Sequence, residues 1–424
     1  MIYNRWKFKK SPFQTTSLPA TELGDKLLVG RETEVDSLIR KIASPPKLAT
    51  LEGLNGVGKT SIVNIASYRL FRDYIESGKG TLYIPCRKIF QLSAEQDSES
   101  FIDQVLMEVA QTLIEKAQEL KEKGVTIQTK ALDKWLNSPQ INTYQGGVWL
   151  VQGGMQSETN TSTGFERSGF RKIVLSWLEQ IFENEGGVVC TIDNMELLQS
   201  SDAARDILEK LRDELLNVNG LRWVLCGALG IVYGVVASPR LEGYLHKPIE
   251  IKSINDQHAG DILTSRIQAY SNDPEYYLPL QAEEFTSLYE TLQGNLRSVL
   301  SYSDDFCQWV ADRHIPMTNE EKTSCFNEWI MEQAKSAHDA VLQELRPKAV
   351  EVFKNAIALG GIFSPSDFDR FGFNSIPAFR PHIRDLEAVG VLVSTQDDGD
   401  KRRKTIQVTP KGWMVDYYIK KTKA

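Results

Sequence analysis

The sequence predicts an α/β protein: a five-stranded parallel sheet flanked by helices, then an all-helical unit, then a small unit of short helices and two strands. Three observations predict it. Apolar runs of strand length alternate with helix-period segments from residue 48 to 251, as in parallel strands joined by helical crossovers. From 255 to about 340 the apolar spacing is helical throughout. From about 345 three short helical stretches lead into a strand–turn–strand. The divisions implied are 1–254 (an N-terminal linker and the sheet core), 255–340 and 341–424. A length of 424 residues suits two or three domains, and 41% hydrophobic with 25% charged residues excludes a disordered or fibrous chain.

The elements follow in order. Residues 1–26 are polar and irregular, with a basic cluster at Arg5, Lys7, Lys9 and Lys10. Helical spacing over Arg31–Ile42 stops at Pro45 and Pro46. Leu48–Glu52 is the first strand, residues 53–60 a glycine-rich turn, and Lys59–Arg72 a helix. Thr81–Cys86 is the second strand and Phe101–Lys123 a long amphipathic helix. Residues 141–164 pair apolar residues with Gly-Gly turns and end in a Ser/Thr/Asn run, which predicts a β-hairpin insertion and a loop. Its Val148, Trp149 and Leu150 would be costly to expose, so they are expected to meet the protein's own surface or a partner. Phe170–Phe182 is helical, Val188–Ile192 the third strand, Ala203–Leu216 a helix, Leu221–Cys226 the fourth strand and Pro248–Ile251 a short fifth.

Five scattered cysteines without a C-x-x-C pair read as reduced residues of a cytoplasmic protein, and the dispersed histidines form no metal pattern. The longest apolar stretch, Trp223 to Ala237, is too short for a membrane helix. A strand running into a loop is the expectation there, and no membrane partner is expected.

The strongest chemical signal is Gly53-Leu54-Asn55-Gly56-Val57-Gly58-Lys59-Thr60, which fits G-x-x-x-x-G-K-[ST] between a strand and a helix. Glycines let backbone N–H groups curl round a phosphate, and the following helix, through Ser61, adds positive partial charge. Lys59 then reaches the β- and γ-phosphates, and Thr60 sets its hydroxyl on Mg²⁺. The run Val188–Asp193 is an apolar strand that delivers one carboxylate, Asp193, to the same edge as a second Mg²⁺ ligand. Asn194 stands where many relatives carry a water-polarising glutamate, and the nearest glutamate is Glu196. Glu196 either takes that role or merely starts the next helix.

Together these residues resemble the AAA+ and STAND-type ATPases, in particular the branch near the archaeal and eukaryotic origin-recognition initiators. The fold implied is a P-loop NTPase core, a helical lid and a C-terminal winged helix. Leu28-Val29-Gly30-Arg31-Glu32 is similar to the box that precedes the first strand and contacts adenine, which implies Val29, Gly30 and Arg31 at the nucleotide. Ser238-Pro239-Arg240-Leu241, Pro248–Ile251 and Ile262–Arg266 resemble in order the passage into the lid. Gly294-Asn295-Leu296-Arg297 resembles the lid motif whose arginine, here Arg297, reaches the γ-phosphate. An arginine finger acting on a neighbouring subunit of a homo-oligomer is implied at Arg240, with Arg212 behind it. The fourth strand ends Cys226-Gly227-Ala228 without the family's polar residue. With Asn194, this points to a slow switch rather than a fast motor.

In the C-terminal unit, Ser364-Pro365-Ser366-Asp367 and Ser375-Ile376-Pro377 read as helix starts. The second helix places Arg380, His382 and Arg384 between apolar Phe379, Ile383 and Leu386. Val391–Thr395, an acidic turn and Lys401–Val408 follow, and Thr409–Gly412 closes the unit. This resembles a winged helix. Arg380 and Arg384 then face a major groove, and Lys401, Arg402, Arg403 and Lys404 face phosphates of double-stranded DNA. The competing reading makes the charge run a solvated face and the winged helix a brace, as in signalling or defence STAND ATPases with a protein partner.

The net charge of −7 refines the picture. The last 24 residues hold eight Lys/Arg and one Asp, which leaves 41 basic and 55 acidic residues, a net −14, in the first 400. An acidic total therefore leaves room for DNA contact concentrated at the wing and C-terminus.

Overall fold

The computed structural model describes residues 2–93, 96–127, 169–182, 185–198, 201–236, 240–241, 243–313, 315–395 and 405–423. The expected hairpin at 141–164, the pair Ser238-Pro239, and Lys401, Arg402, Arg403 and Lys404 lie outside these residues.

Strands β1 (Ala49–Gly53), β2 (Tyr83–Phe90), β3 (Gly187–Ile192), β4 (Leu221–Gly227) and β5 (Ile249–Ile251) form one sheet. Their order is β2-β3-β4-β1-β5, with every pairing parallel. One strand, β4, separates the strand that feeds the glycine-rich loop from the strand that delivers Asp193. Register sets Ile192 beside Leu225 and Glu52 beside Gly227, so the three strands end together on one edge. This is the P-loop NTPase arrangement.

Both faces of the sheet are covered. Every position of β3 is buried, as a central parallel strand requires. Val188, Cys190 and Ile192 point into one apolar cluster with Trp223 and Leu225; Val189 points into the other with Val224 and Cys226. Strand β2 runs beyond the expected Cys86 to Phe90, with a register irregularity between Pro85 and Ile89. Pro85 has no N–H for a ladder, which is where such irregularities arise. The apolar run from Trp223 is β4 followed by a short helix, Ile231–Val236. Among the described residues no helix is long and apolar enough to cross a membrane.

The lid comprises helices Ala259–Tyr270, Ala282–Thr291 and Leu296–Ala311, followed by the long Asn319–Leu342, which starts at a Thr318–Glu321 capping box. The N-terminal segment, grouped by chain order with the sheet, packs elsewhere. Tyr3, Trp6, Phe8 and Phe13 share a buried cluster with Phe285, Leu300 and Phe306 of the lid. Tyr3 Oη donates to Asp304 Oδ1 at 2.5 Å and Ser11 Oγ to the same oxygen at 2.7 Å. The segment then returns to the core. Leu18 N donates to Ser61 Oγ at 3.0 Å, Asn64 Nδ2 donates to Leu18 O at 2.7 Å, and Asp25 accepts from Arg69 and Arg72.

The C-terminal unit has helices Pro347–Ala358 and Ile376–Ala388, a 3₁₀ turn Pro365–Phe371, and strands β6 (Ile362–Phe363), β7 (Leu392–Thr395) and β8 (Thr405–Val408). The strands are antiparallel in the order β6-β8-β7, and the element order is that of a winged helix. Ser364 and Asp367 form a reciprocal capping box, though on a 3₁₀ turn; Ser375 occupies the cap position without a side-chain hydrogen bond. The unit does not close at Gly412. A helix, Pro410–Lys423, buries Met414 and Val415 and packs along Asn319–Leu342.

Phe8 is fully buried, so Phe8→Ala is expected to cost about 3–5 kcal/mol. Denaturant unfolding and limited proteolysis of the lid helices check it; an unchanged midpoint and cleavage pattern would show that the segment does not support the lid.

Candidate nucleotide site

The glycine-rich loop leaves β1 at Gly53 and enters the 19-residue helix Lys59–Ser77. Gly56 (φ 86°) and Gly58 (φ 96°) hold left-handed backbone that a side chain would strain. A Cβ on Gly56 would also come within 2.7 Å of Asn295 Oδ1 and 3.2 Å of Arg297 Cβ. The lid is thus in contact with the loop. Asn295 Nδ2 also donates to Asn55 O at 3.3 Å.

Lys59 is buried, and its ammonium donates to Gly53 O at 3.0 Å and Leu54 O at 3.2 Å. One of its three N–H bonds remains for a ligand. Thr60 Oγ1 donates to Asp193 Oδ2 at 2.5 Å, and Asp193 Oδ1 accepts from Asn194 N at 2.8 Å. A hydroxyl and a buried carboxylate side by side at the head of the helix are hard oxygen donors of the kind Mg²⁺ takes with phosphates.

The residues at 194 and 227 have local causes. Asn194 sits at φ 57°, a region where Asn is favoured over larger side chains. A Cβ on Gly227 would lie 2.9 Å from Val232 Cγ2 and 3.3 Å from Met195 Cβ. Val232 of the helix Ile231–Val236, with Met195 of the 3₁₀ turn Met195–Leu198 behind it, therefore leaves little room for a side chain there. The residue after β4 offers a backbone donor instead. Ala228 N donates to Glu196 Oε2 at 3.0 Å, which holds that carboxylate on the wall of the site.

A cavity of about 370 Å³ gathers these groups. The loop residues Asn55–Thr60 and Ser61, with Asp193, Glu196 and Arg297, line its polar wall. Leu28, Val29, Ile254, Ile262, Leu296 and Leu300 give an apolar wall, and Thr15–Leu18 of the N-terminal segment run along it. A polar wall for phosphates beside an apolar one for a flat ring is the division a nucleotide requires.

Arg31 lines the cavity too, but its guanidinium is turned into the protein. It donates to Glu34 Oε1 at 2.9 Å, Val57 O at 3.0 Å and Lys252 O at 2.6 Å. It clamps the loop to the residue after β5. Gly30 is outside the cavity lining; a Cβ there would meet Ile254 and His258 at the lid's first turn. Gly53 and Leu54 reach the site through their carbonyls. Arg240 is exposed, outside the cavity, and pairs with Glu209 at 3.3 Å, while Arg212 pairs with Asp213. Arg380 and Arg384 are exposed on one helix while Phe379, Ile383 and Leu386 are buried beneath them.

Sequence reasoning missed three contributors. Thr15–Leu18 carry no motif. Ala228 acts only through its backbone. Arg266 was visible in the passage into the lid, but nothing in its spacing placed it in the cavity, where it is nearly fully buried.

No protein-family profile matches the chain, and no curated protein matches it in sequence. Solved structures similar to it include the Aeropyrum pernix ORC1 protein in complex with DNA, 15% identical with a TM-score of 0.44 over 98% of this chain and 99% of that one. The Aeropyrum pernix ORC2 protein in ADPNP-ADP complexes is 11% identical, TM-score 0.47, over 98% and 99%. Domain III of the Thermotoga maritima replication initiation protein DnaA is 11% identical, TM-score 0.38, over 74% and 98%. At these values the likeness is one of general chain course, and the site's chemistry rests on its own geometry.

Arg31→Ala removes three hydrogen bonds, one of them to the loop at Val57 O, and leaves Glu34 without its partner. Nucleotide affinity is expected to fall about 10- to 100-fold while the sheet stays folded. Isothermal titration with ATP checks it, and unchanged affinity would show that the loop needs no clamp.

Proposed function

We propose that this chain binds ATP with Mg²⁺ and hydrolyses it slowly, and that nucleotide state sets the lid and hence assembly and DNA contact. The observation that carries the reading is the contact of a second module on the phosphate loop. Asn295 bonds to Asn55 O and Arg297 flanks Gly56, so a phosphate held by the loop also meets the lid. A ligand that meets both modules shifts a conformational equilibrium to the extent that its contacts differ between the states.

The roles follow from the geometry. Backbone N–H groups of residues 55–61 and the helix N-terminus take the phosphates, and Lys59 and Arg297 add charge to the β- and γ-phosphates. Thr60 and Asp193 would hold Mg²⁺, which when bound neutralises phosphate oxygens. Glu196 orients the attacking water through Oε1, because Oε2 is engaged by Ala228 N–H. A carboxylate so restrained, and set three residues after Asp193 rather than one, supports the reading of slow turnover. Arg240, on the outer surface, would act only on a neighbouring subunit.

For the C-terminal unit we assign double-stranded DNA contact to the exposed Arg380 and Arg384 and to the basic run Lys401–Lys404. The packing of Pro410–Lys423 along Asn319–Leu342 favours a second reading, a brace that serves protein contacts.

Lys59→Ala is expected to abolish ATP binding measured by titration; affinity equal to the parent would remove the phosphate assignment. Glu196→Gln is expected to keep binding and lower phosphate release at least tenfold, and an unchanged rate would return Glu196 to a structural role. A mobility shift with Arg380 and Arg384 changed to alanine decides between the C-terminal readings. Weaker binding with a shallower salt dependence supports DNA, and unchanged binding or none in the parent supports the brace.

A further inference from the structure

Arg266 lies on the lid helix Ala259–Tyr270, 4% exposed, and lines the nucleotide cavity. Among the described residues no carboxylate pairs with it. Nη1 donates to Pro12 O at 2.9 Å and Gln14 O at 3.2 Å, while the buried Nε–H has no partner. A buried guanidinium with an idle donor is costly unless something else satisfies it. Burial pushes its pKa down to about 10, far above neutral pH, so it stays charged. The carbonyls of Pro12 and Gln14 fix one edge of its plane, and the next residues, Thr15–Leu18, run along the cavity.

We infer that Arg266 is a base-recognition residue, its free N–H edge donating to an acceptor of the nucleobase bound at the apolar wall. This rests on the nucleotide reading of the site and extends it to the other end of the ligand. The phosphate wall already has Lys59, Arg297 and the loop N–H groups. Arg266 is one turn from Ile262 and shares its wall with Leu300, a surface suited to a flat heterocycle rather than to a phosphate. A guanidinium has donors only, so it suits ring nitrogens and carbonyl oxygens, and its plane also stacks on an aromatic ring. The same contact links base occupancy to the N-terminal segment, because Arg266 holds both.

The test compares ATP with inorganic tripolyphosphate, which has the charges and no base, on the full chain. In Arg266→Lys and Arg266→Met, ATP affinity is expected to fall about 10- to 100-fold while tripolyphosphate affinity stays within about twofold of the parent. Arg266→Lys keeps the charge and stem without the planar fork, and it serves where Arg266→Met does not fold. Equal losses for both ligands would place Arg266 at the phosphates or in the structure alone; no loss for either would remove it from the site. Both overturn the inference. A parent that binds neither ligand would instead overturn the nucleotide reading itself.

Discussion

The geometry of the phosphate loop depends on one buried side chain. Arg31 ties three pieces of chain together: its own helix through Glu34, the loop through Val57 O, and the end of β5 through Lys252 O. Each bond from a charged donor is worth about 1.5–3 kcal/mol, set against the cost of burying the charge, so the clamp's effect is more in position than in net stability. A glycine-rich loop has many conformations of similar energy. Fixing its carbonyl at residue 57 selects one of them.

Around that fixed point the protein closes a cavity with parts that belong to different cores. The loop and Asp193 stand on the sheet, Arg297 and Arg266 on the lid, and Thr15–Leu18 on a segment anchored to both. The anchoring is asymmetric. Apolar burial and Asp304 secure the segment to the lid, whereas hydrogen bonds and the Asp25–Arg69–Arg72 ion pairs secure it to the core helix. Partly exposed ion pairs of this sort are weaker and more readily exchanged than aromatic packing. The lid and segment are therefore expected to move as one body against the sheet.

Much of this was legible in the sequence, for physical reasons. Strand–helix alternation reported the parallel sheet, because each buried strand must be apolar at nearly every position. The loop was legible because only glycine at 56 and 58 supports its backbone. Capping at Ser364 was visible because the hydrogen bonds are local. What could not be read was non-local or carried by the main chain. The place of Tyr3, Trp6 and Phe8 depends on Asp304, Tyr277 and Tyr276, far along the chain. Ala228 contributes an N–H that every residue but proline has. The helix Pro410–Lys423 reads as a nearly unbroken apolar and aromatic run, W-M-V-D-Y-Y-I, whose period is obscured because it packs on more than one side. Arg31 resembles a ligand contact and lines the cavity, but its bonds to Glu34, Val57 O and Lys252 O could not be read, since sequence order cannot say which way a guanidinium turns.

The joining of Tyr3 to Asp304 across 301 positions also bears on how the molecule comes into being. During synthesis the aromatic residues of the first turn emerge long before the helices that cover them. At typical elongation rates of about 5–20 residues per second, that interval lasts roughly 15–60 s. For that time the sheet can mature around its own core, but the cavity lacks a wall. Ligand competence thus arrives late and all at once, when the lid condenses on the waiting N-terminal residues. The same long contact makes this step slow to nucleate and leaves exposed aromatic residues that need shielding in the meantime.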